Sequence, residues 1–496
     1  MGQSRYSIIL RGSPNVKLPI TACALCIVVV LSLIYSIEDL RKFSIFYATS
    51  LISPPPEAAR PPVYSNIREL EMNLPQHNPD LPYPEGRLGR YVLFSNSRTH
   101  LSGWNNKLND MCAHPFFSGL TMLTSLRLMN TWLAYASNRA YVFHDFAWVD
   151  SHYPWPISSY REWAPRTPLN ALISGPSAGG PWDKGDPAPR AVSEGYFDSV
   201  CPRQERKLIN TRDIKPSLRN ADGTVIFQHW LALLRETKER CIEIVAAPRE
   251  EDSFPETFDI HYWSTARSLS LWDAFVLSPV SRLLGTSVIV ESAIKDNIGL
   301  FLFPPIRSYL KNNQSYDDLK IRNTLSSVFS IHVRRGDFDQ ACHEHADKNS
   351  TFYNWNLLPF LPDKLDSESN GKEPRIFERC WPTAEYIRAR VKEAKRIYEE
   401  QMVGRDLSVL YIMSNDRTDW IEDLKKAFIL DGWRRVVMSR DMKLNPQQKD
   451  VSVAVDMEVG RSSAVFIGNG VRGDDSFFQI LAHWFFRCSG RLSQVM

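Results

Sequence analysis

The sequence predicts an α/β fold built as two halves around a cleft, entered through one membrane-spanning helix. Three observations predict it. A charge-free apolar run lies near the start, short apolar strands alternate with long helical repeats after residue 88, and the alternation resumes after residue 300. A chain of 496 residues exceeds one ordinary core, so two domains are expected. Its composition, 43% hydrophobic and 23% charged, is globular. The net charge of +3, with no clustered basic segment, gives no nucleic-acid footprint.

Residues 1–17 carry Arg5, Arg11 and Lys17 and are expected to stay cytoplasmic. Leu18 to Ile37 contain no charged side chain and would span about 30 Å as a helix. Backbone groups in hydrocarbon must pair internally, which makes a membrane anchor the favoured reading. A cleaved signal peptide and a buried core helix are the alternatives, and Arg41 and Lys42 weaken the charge bias. The expected localisation is that of a type II membrane protein of the Golgi or ER, its catalytic part lumenal. The sequons at Asn313 and Asn349 fit that side of the membrane. Outside the apolar run stand Cys112, Cys201, Cys241, Cys342, Cys380 and Cys488, of which Cys342 with Cys380 is the preferred bridge across a polar insertion.

Residues 38–87 are proline-rich and read as a stem, because proline lacks the amide donor of helix and sheet. From Gly89, Tyr91–Phe94 reads as a strand, Ser95–Lys107 as a loop, Phe116–Ala136 as a helix and Tyr141–Phe143 as a second strand. Trp148 to Glu205 is expected to be a long surface loop over the cleft. Its glycines in GPSAGGPW are no phosphate loop, since Pro181 and Trp182 stand where Lys and Ser/Thr belong. The second half reads as strands at 328–333, 407–413, 434–438 and 464–467. Helices are expected at 384–402, 419–428, 447–459 and 476–486. The expected domains are 88–300 and 301–496.

The segment Ser330-Ile-His-Val-Arg-Arg-Gly-Asp-Phe338 carries the most chemistry. Alternation along a strand buries Ile331 and Val333 and gives His332 and Arg334 the other face. Arg334 then stands at a strand's carboxyl end, where open α/β sheets bind ligands. Its planar fork suits a diphosphate and keeps its charge as a nucleotide departs. A structural ion pair with Asp337 or Asp339 is the competing reading. Ser414-Asn-Asp416 reads as a turn and cap that could also touch a ribose or phosphate. Cys342-His343-x-His345 lacks a second ligand pair at standard spacing, so no metal is expected.

HVRRGDF resembles the first signature of the fucosyltransferase superfamily. Asp456 with Gly468 twelve residues on, then Ser476-Phe477, and Gly103-Trp-Asn105 near the first strand are similar to its other segments, in the same order. The layout is similar to fungal relatives of the protein O-fucosyltransferases. The resemblance implies a GT-B fold, two Rossmann-like domains with GDP-fucose held mainly by the second. It implies Arg334 on the diphosphate, His332 beside the nucleotide, Asp456 on guanine, and Ser476 and Phe477 around phosphate and base. Gly103 and Asn105 would close over the sugar nucleotide, and the anomeric centre would invert without bound metal. Two departures stand out: the loop between Gly468 and Ser476 is longer, and Ser102 replaces the glutamate that some relatives carry as a base. Asp337 is the nearest replacement in sequence. The alternatives kept open are another donor or glycan acceptor on the same fold, and a silent nucleotide- or glycan-binding protein tethered to the membrane.

Overall fold

The computed structural model describes residues 60–97, 118–148, 153–156, 165–248, 250–263, 265–302, 318–335, 339–347, 354–359, 376–402, 405–468. The apolar run 18–37 and both sequons lie outside them. Among the described residues no helix is long and apolar enough to cross a membrane. The expectations of a transmembrane helix preceding the α/β fold, and of a single-pass membrane protein of the Golgi or ER, are corrected accordingly. The two longest described helices show the physical reason. Ser118–Ala136 carries Arg127, Asn130 and Thr131, and Ala384–Gln401 is charged along most of its length.

The described strands follow in chain order. They are β1 (Tyr91–Phe94), β2 (Ala140–Phe143), β3 (Phe146–Ala147), β4 (Arg166–Thr167), β5 (Ile173–Ser174), β6 (Val192–Ser193) and β7 (Lys207–Asn210). Then come β8 (Cys241–Val245), β9 (Gly285–Thr286), β10 (Val328–Val333), β11 (Val409–Ser414), β12 (Arg435–Met438) and β13 (Val465–Gly468). Residue 300, the expected divide, lies between β9 and β10, and both sheets belong to one compact unit.

The first sheet runs β6-β2-β1-β8-β7 and is parallel throughout. β1 and β2 are buried along their whole length, which suits their uninterrupted apolar sequences. β1 continues through Ser118–Ala136 to β2 on one side, while β8 lies on its other side. The order therefore reverses between β1 and β8. A disulfide, Cys201–Cys241, ties the start of β8 to the segment after the helix Glu194–Val200.

The second sheet runs β12-β11-β10-β13, also parallel. Crossovers proceed outward from β10 to β12 and then return to β10's other edge at β13, so this order reverses between β10 and β13. Phe329, Ile331 and Val333 join Leu410 and Ile412 in a core under the helices Ala384–Gln401 and Asp419–Leu430. The opposite face meets the helix Ser452–Ser462, where Ser330 Oγ and Ser463 Oγ share a hydrogen bond.

The described residues of Trp148 to Glu205 do not form a surface loop. Trp155, Ala171, Leu172, Ala178 and Ala191 are buried, and short strands and helices run through the described part. Gly175 shows why glycine stands there: its φ is 94°, and a Cβ would sit 2.2 Å from the Leu283 carbonyl oxygen.

Segments distant in sequence meet at buried Asp450. It accepts hydrogen bonds from Tyr64 Oη (2.6 Å), Trp155 Nε1 (2.8 Å) and Thr167 Oγ1 (2.6 Å). These donors and Tyr153 offset the burial of one carboxyl, which burial nonetheless pushes above its usual pKa.

Candidate nucleotide site at the second sheet's switch point

β10 brings the HVRR sequence to the reversal between β10 and β13. His332 pairs with Met413 on one side and Gly468 on the other, and both neighbours end within a residue of it. Arg334 is the first residue past the strand and is only 6% exposed. Ligands of open α/β sheets bind in the crevice outside such a reversal. A guanidinium keeps its charge in such a place.

The second arginine of the pair has another task. Arg335 lies between the rings of Trp381 and Trp420, with centroids 4.2 and 3.7 Å from its Cζ. Its Nη1 donates to the Pro382 carbonyl at 2.7 Å, and Asp416 stands 3.9 Å from its Nε. Ser414-Asn-Asp416 buttresses the same corner. Asn415 Oδ1 accepts from the Arg335 amide at 3.0 Å, and Ser414 Oγ donates to the Val333 carbonyl at 2.7 Å. Asp416 Oδ1 accepts from the Thr418 amide at 2.7 Å, which makes the turn of the turn-and-cap reading, while the helix Asp419–Leu430 begins at Thr418 with no side-chain cap. The disulfide Cys342–Cys380 joins the helix Asp339–Asp347 to the segment leading into Trp381.

Asp456 lies one turn into the helix Ser452–Ser462 and is 9% exposed. Tyr411 Oη donates to its Oδ1, and Ser439 Oγ donates to its Oδ2 at 2.9 Å. Burial pushes its pKa up to about 6, while those donors and the His332 ring hold it down. The field of His332 on Asp456 brings two of the expected site residues together under β10 and β11. Each carboxylate oxygen has a second lone pair, so accepting from the protein leaves capacity for a ligand donor. Gly103, Asn105, Asp337, Ser476 and Phe477 lie outside the described residues.

A carboxyl that sequence reasoning passed over sits at the other reversal. Glu256, on the loop after β8, is 8% exposed, and its Oε2 has no hydrogen-bond partner among the described residues. Its sequence signal is weak: one of two acids, with Asp259, in the aromatic-rich stretch Phe254 to Trp263. Among the described residues no group of three or more His, Cys, Asp or Glu side chains is placed to hold a metal.

No family model and no curated protein matches the chain. Three crystal structures of POFUT1 resemble it. Two hold GDP-fucose: one has a TM-score of 0.42 at 12% identity over 79% of this chain and 93% of that one. The other has 0.41 at 13% over 79% and 94%. The third holds GDP and has 0.38 at 12% over 80% and 94%. At this distance the likeness decides neither substrate nor reaction.

Proposed function

We propose that the chain is an inverting glycosyltransferase that takes a GDP-sugar, GDP-fucose foremost, and transfers the sugar to a protein or glycan hydroxyl. Residues 301–496 would hold the nucleotide and 88–300 the acceptor. The observation that carries the reading is a buried arginine, Arg334, one residue past β10 at the second sheet's reversal. In this reading Arg334 receives the negative charge that builds on the diphosphate as the sugar leaves, a contribution made mainly in the transition state. His332 and Asp456 lie beneath the nucleotide, and Asp456 offers acceptor capacity to guanine's paired N–H groups. Gly103, Asn105, Ser476 and Phe477 complete the enclosure as the sequence resemblance implies.

One observation favours a second reading. Tyr411 and Ser439 already engage both oxygens of Asp456. A carboxyl so held could serve packing alone, with another base in the donor.

The test is turnover of GDP-fucose by the full chain and by Arg334→Ala. The variant is expected to lose about a hundredfold in rate, or about 3 kcal/mol of barrier, with its melting temperature near the parent's. Arg334→Lys should recover little, because a point charge does not replace a planar fork. Parental turnover by Arg334→Ala would contradict the reading.

A further inference from the structure

We infer that Glu256 is the group that takes the proton from the attacking hydroxyl in this transferase. The inference rests on the functional reading above and deepens it on the acceptor side. Its starting point is topology. The first sheet reverses between β1 and β8, so the crevice outside their carboxyl ends is the ligand position of that half.

The loop carrying Glu256 is fixed over that crevice from both sides. Asn96, two residues past β1, donates from Nδ2 to the Pro255 carbonyl at 3.0 Å and to Thr257 Oγ1 at 3.2 Å. Those two partners flank Glu256, so its backbone is held directly outside β1. From the other side, Lys215 donates to the Phe254 carbonyl and pairs with Asp252 at 2.7 Å and Asp259 at 2.9 Å.

The carboxyl is kept ready rather than used up. One side of it bonds to its own backbone amide, while Oε2 has no partner among the described residues although the residue is buried. A buried polar atom without a partner costs stability, and such atoms persist where a ligand completes them. The charged groups facing Glu256 are Lys215, from the segment after β7, and Asp252 and Asp259 on its own loop. Lys215 is engaged by both aspartates and by the Phe254 carbonyl, which leaves Glu256 without a dedicated counter-ion. Burial first, then the two aspartates, lift its pKa to about 7, the range in which a carboxyl accepts a proton best near neutrality.

The step balances with the groups named. The hydroxyl oxygen bonds to the anomeric carbon as its O–H bond breaks and the proton passes to Glu256 Oε2. The bond between that carbon and the diphosphate oxygen breaks with its electron pair, which leaves on GDP opposite Arg334. Glu256 ends protonated and returns its proton to water.

The experiment uses the full chain with GDP-fucose and water as acceptor, read as GDP released across pH 5–9. Glu256→Gln keeps size and shape but cannot take a proton. Parent turnover should rise through about pH 7, whereas Glu256→Gln should be at least tenfold slower at pH 8 with a flat profile and parental GDP affinity. Glu256→Asp should retain the pH dependence at a reduced rate. Equal rates and profiles for parent and Glu256→Gln would overturn the inference while leaving the transferase standing. A parent that neither binds GDP nor releases it from GDP-fucose would remove the functional reading and this inference with it.

Discussion

Glu256 and Asp456 are buried carboxyls set differently by their partners. Asp456 accepts from Tyr411 and Ser439 and rises only to about 6, while Glu256, with fewer donors, rises to about 7. For Glu256 the folded pKa lies above the usual 4.5, so folding favours its protonated form. The favourable contribution is present below about pH 4.5 and is lost as pH rises through about 7. At pH 8 the ionised carboxyl weighs against folding on the order of 3 kcal/mol. Glu256→Gln should therefore be the more stable protein at pH 8, with the gap closing toward pH 4. Urea unfolding at pH 4, 6 and 8 measures it, and a gap that does not change with pH would contradict the burial argument. A substitution that stabilises the fold while slowing turnover is the signature of a residue kept for chemistry.

At the scale of elements, β10 and its exit separate two adjacent arginines by task. Arg335 is clamped between Trp381 and Trp420 and bonded to Pro382, so it fixes the corner that follows Arg334. Arg335→Ala should cost about 2 kcal/mol of folding stability, from two cation–π contacts and one hydrogen bond. Arg334→Ala should cost turnover instead. Denaturation midpoints of the two variants check this, and a parental midpoint for Arg335→Ala would contradict the clamp. The sequence made β10 legible because VFSIHV alternates Phe329, Ile331 and Val333 with Ser330 and His332 before ending in charge, and it is observed at the same residues, Val328–Val333. The helix expected at 447–459 is instead two, Pro446–Asp450 and Ser452–Ser462. Asn445 caps the first and Pro446 starts it, a signal that periodicity alone overlooked. β7 and β8 escaped notice because KLIN and CIEIV mix charge into short runs, so their place in the sheet comes from tertiary pairing rather than local pattern. Glu256 escaped for a related reason: its role depends on two loops meeting, which no spacing records.

Across the whole molecule, two parallel sheets each reverse at a central strand, and each reversal holds a buried ionisable side chain: Glu256 in the first, Arg334 in the second. Asp450 ties the segment after β12 to the first half, drawing Tyr64, Trp155 and Thr167 onto one carboxyl. That arrangement suits a reaction needing a proton acceptor on one side and a cation for a departing diphosphate on the other. The proposed function requires a guanine nucleotide at the second reversal. The most direct measurement is calorimetric titration of the full chain with GDP, UDP and ADP, alongside Arg334→Ala with GDP. GDP should bind at least tenfold tighter than UDP or ADP, with most of that affinity lost in the variant. Equal affinities for the three nucleotides, or GDP binding untouched by the loss of Arg334, would contradict it.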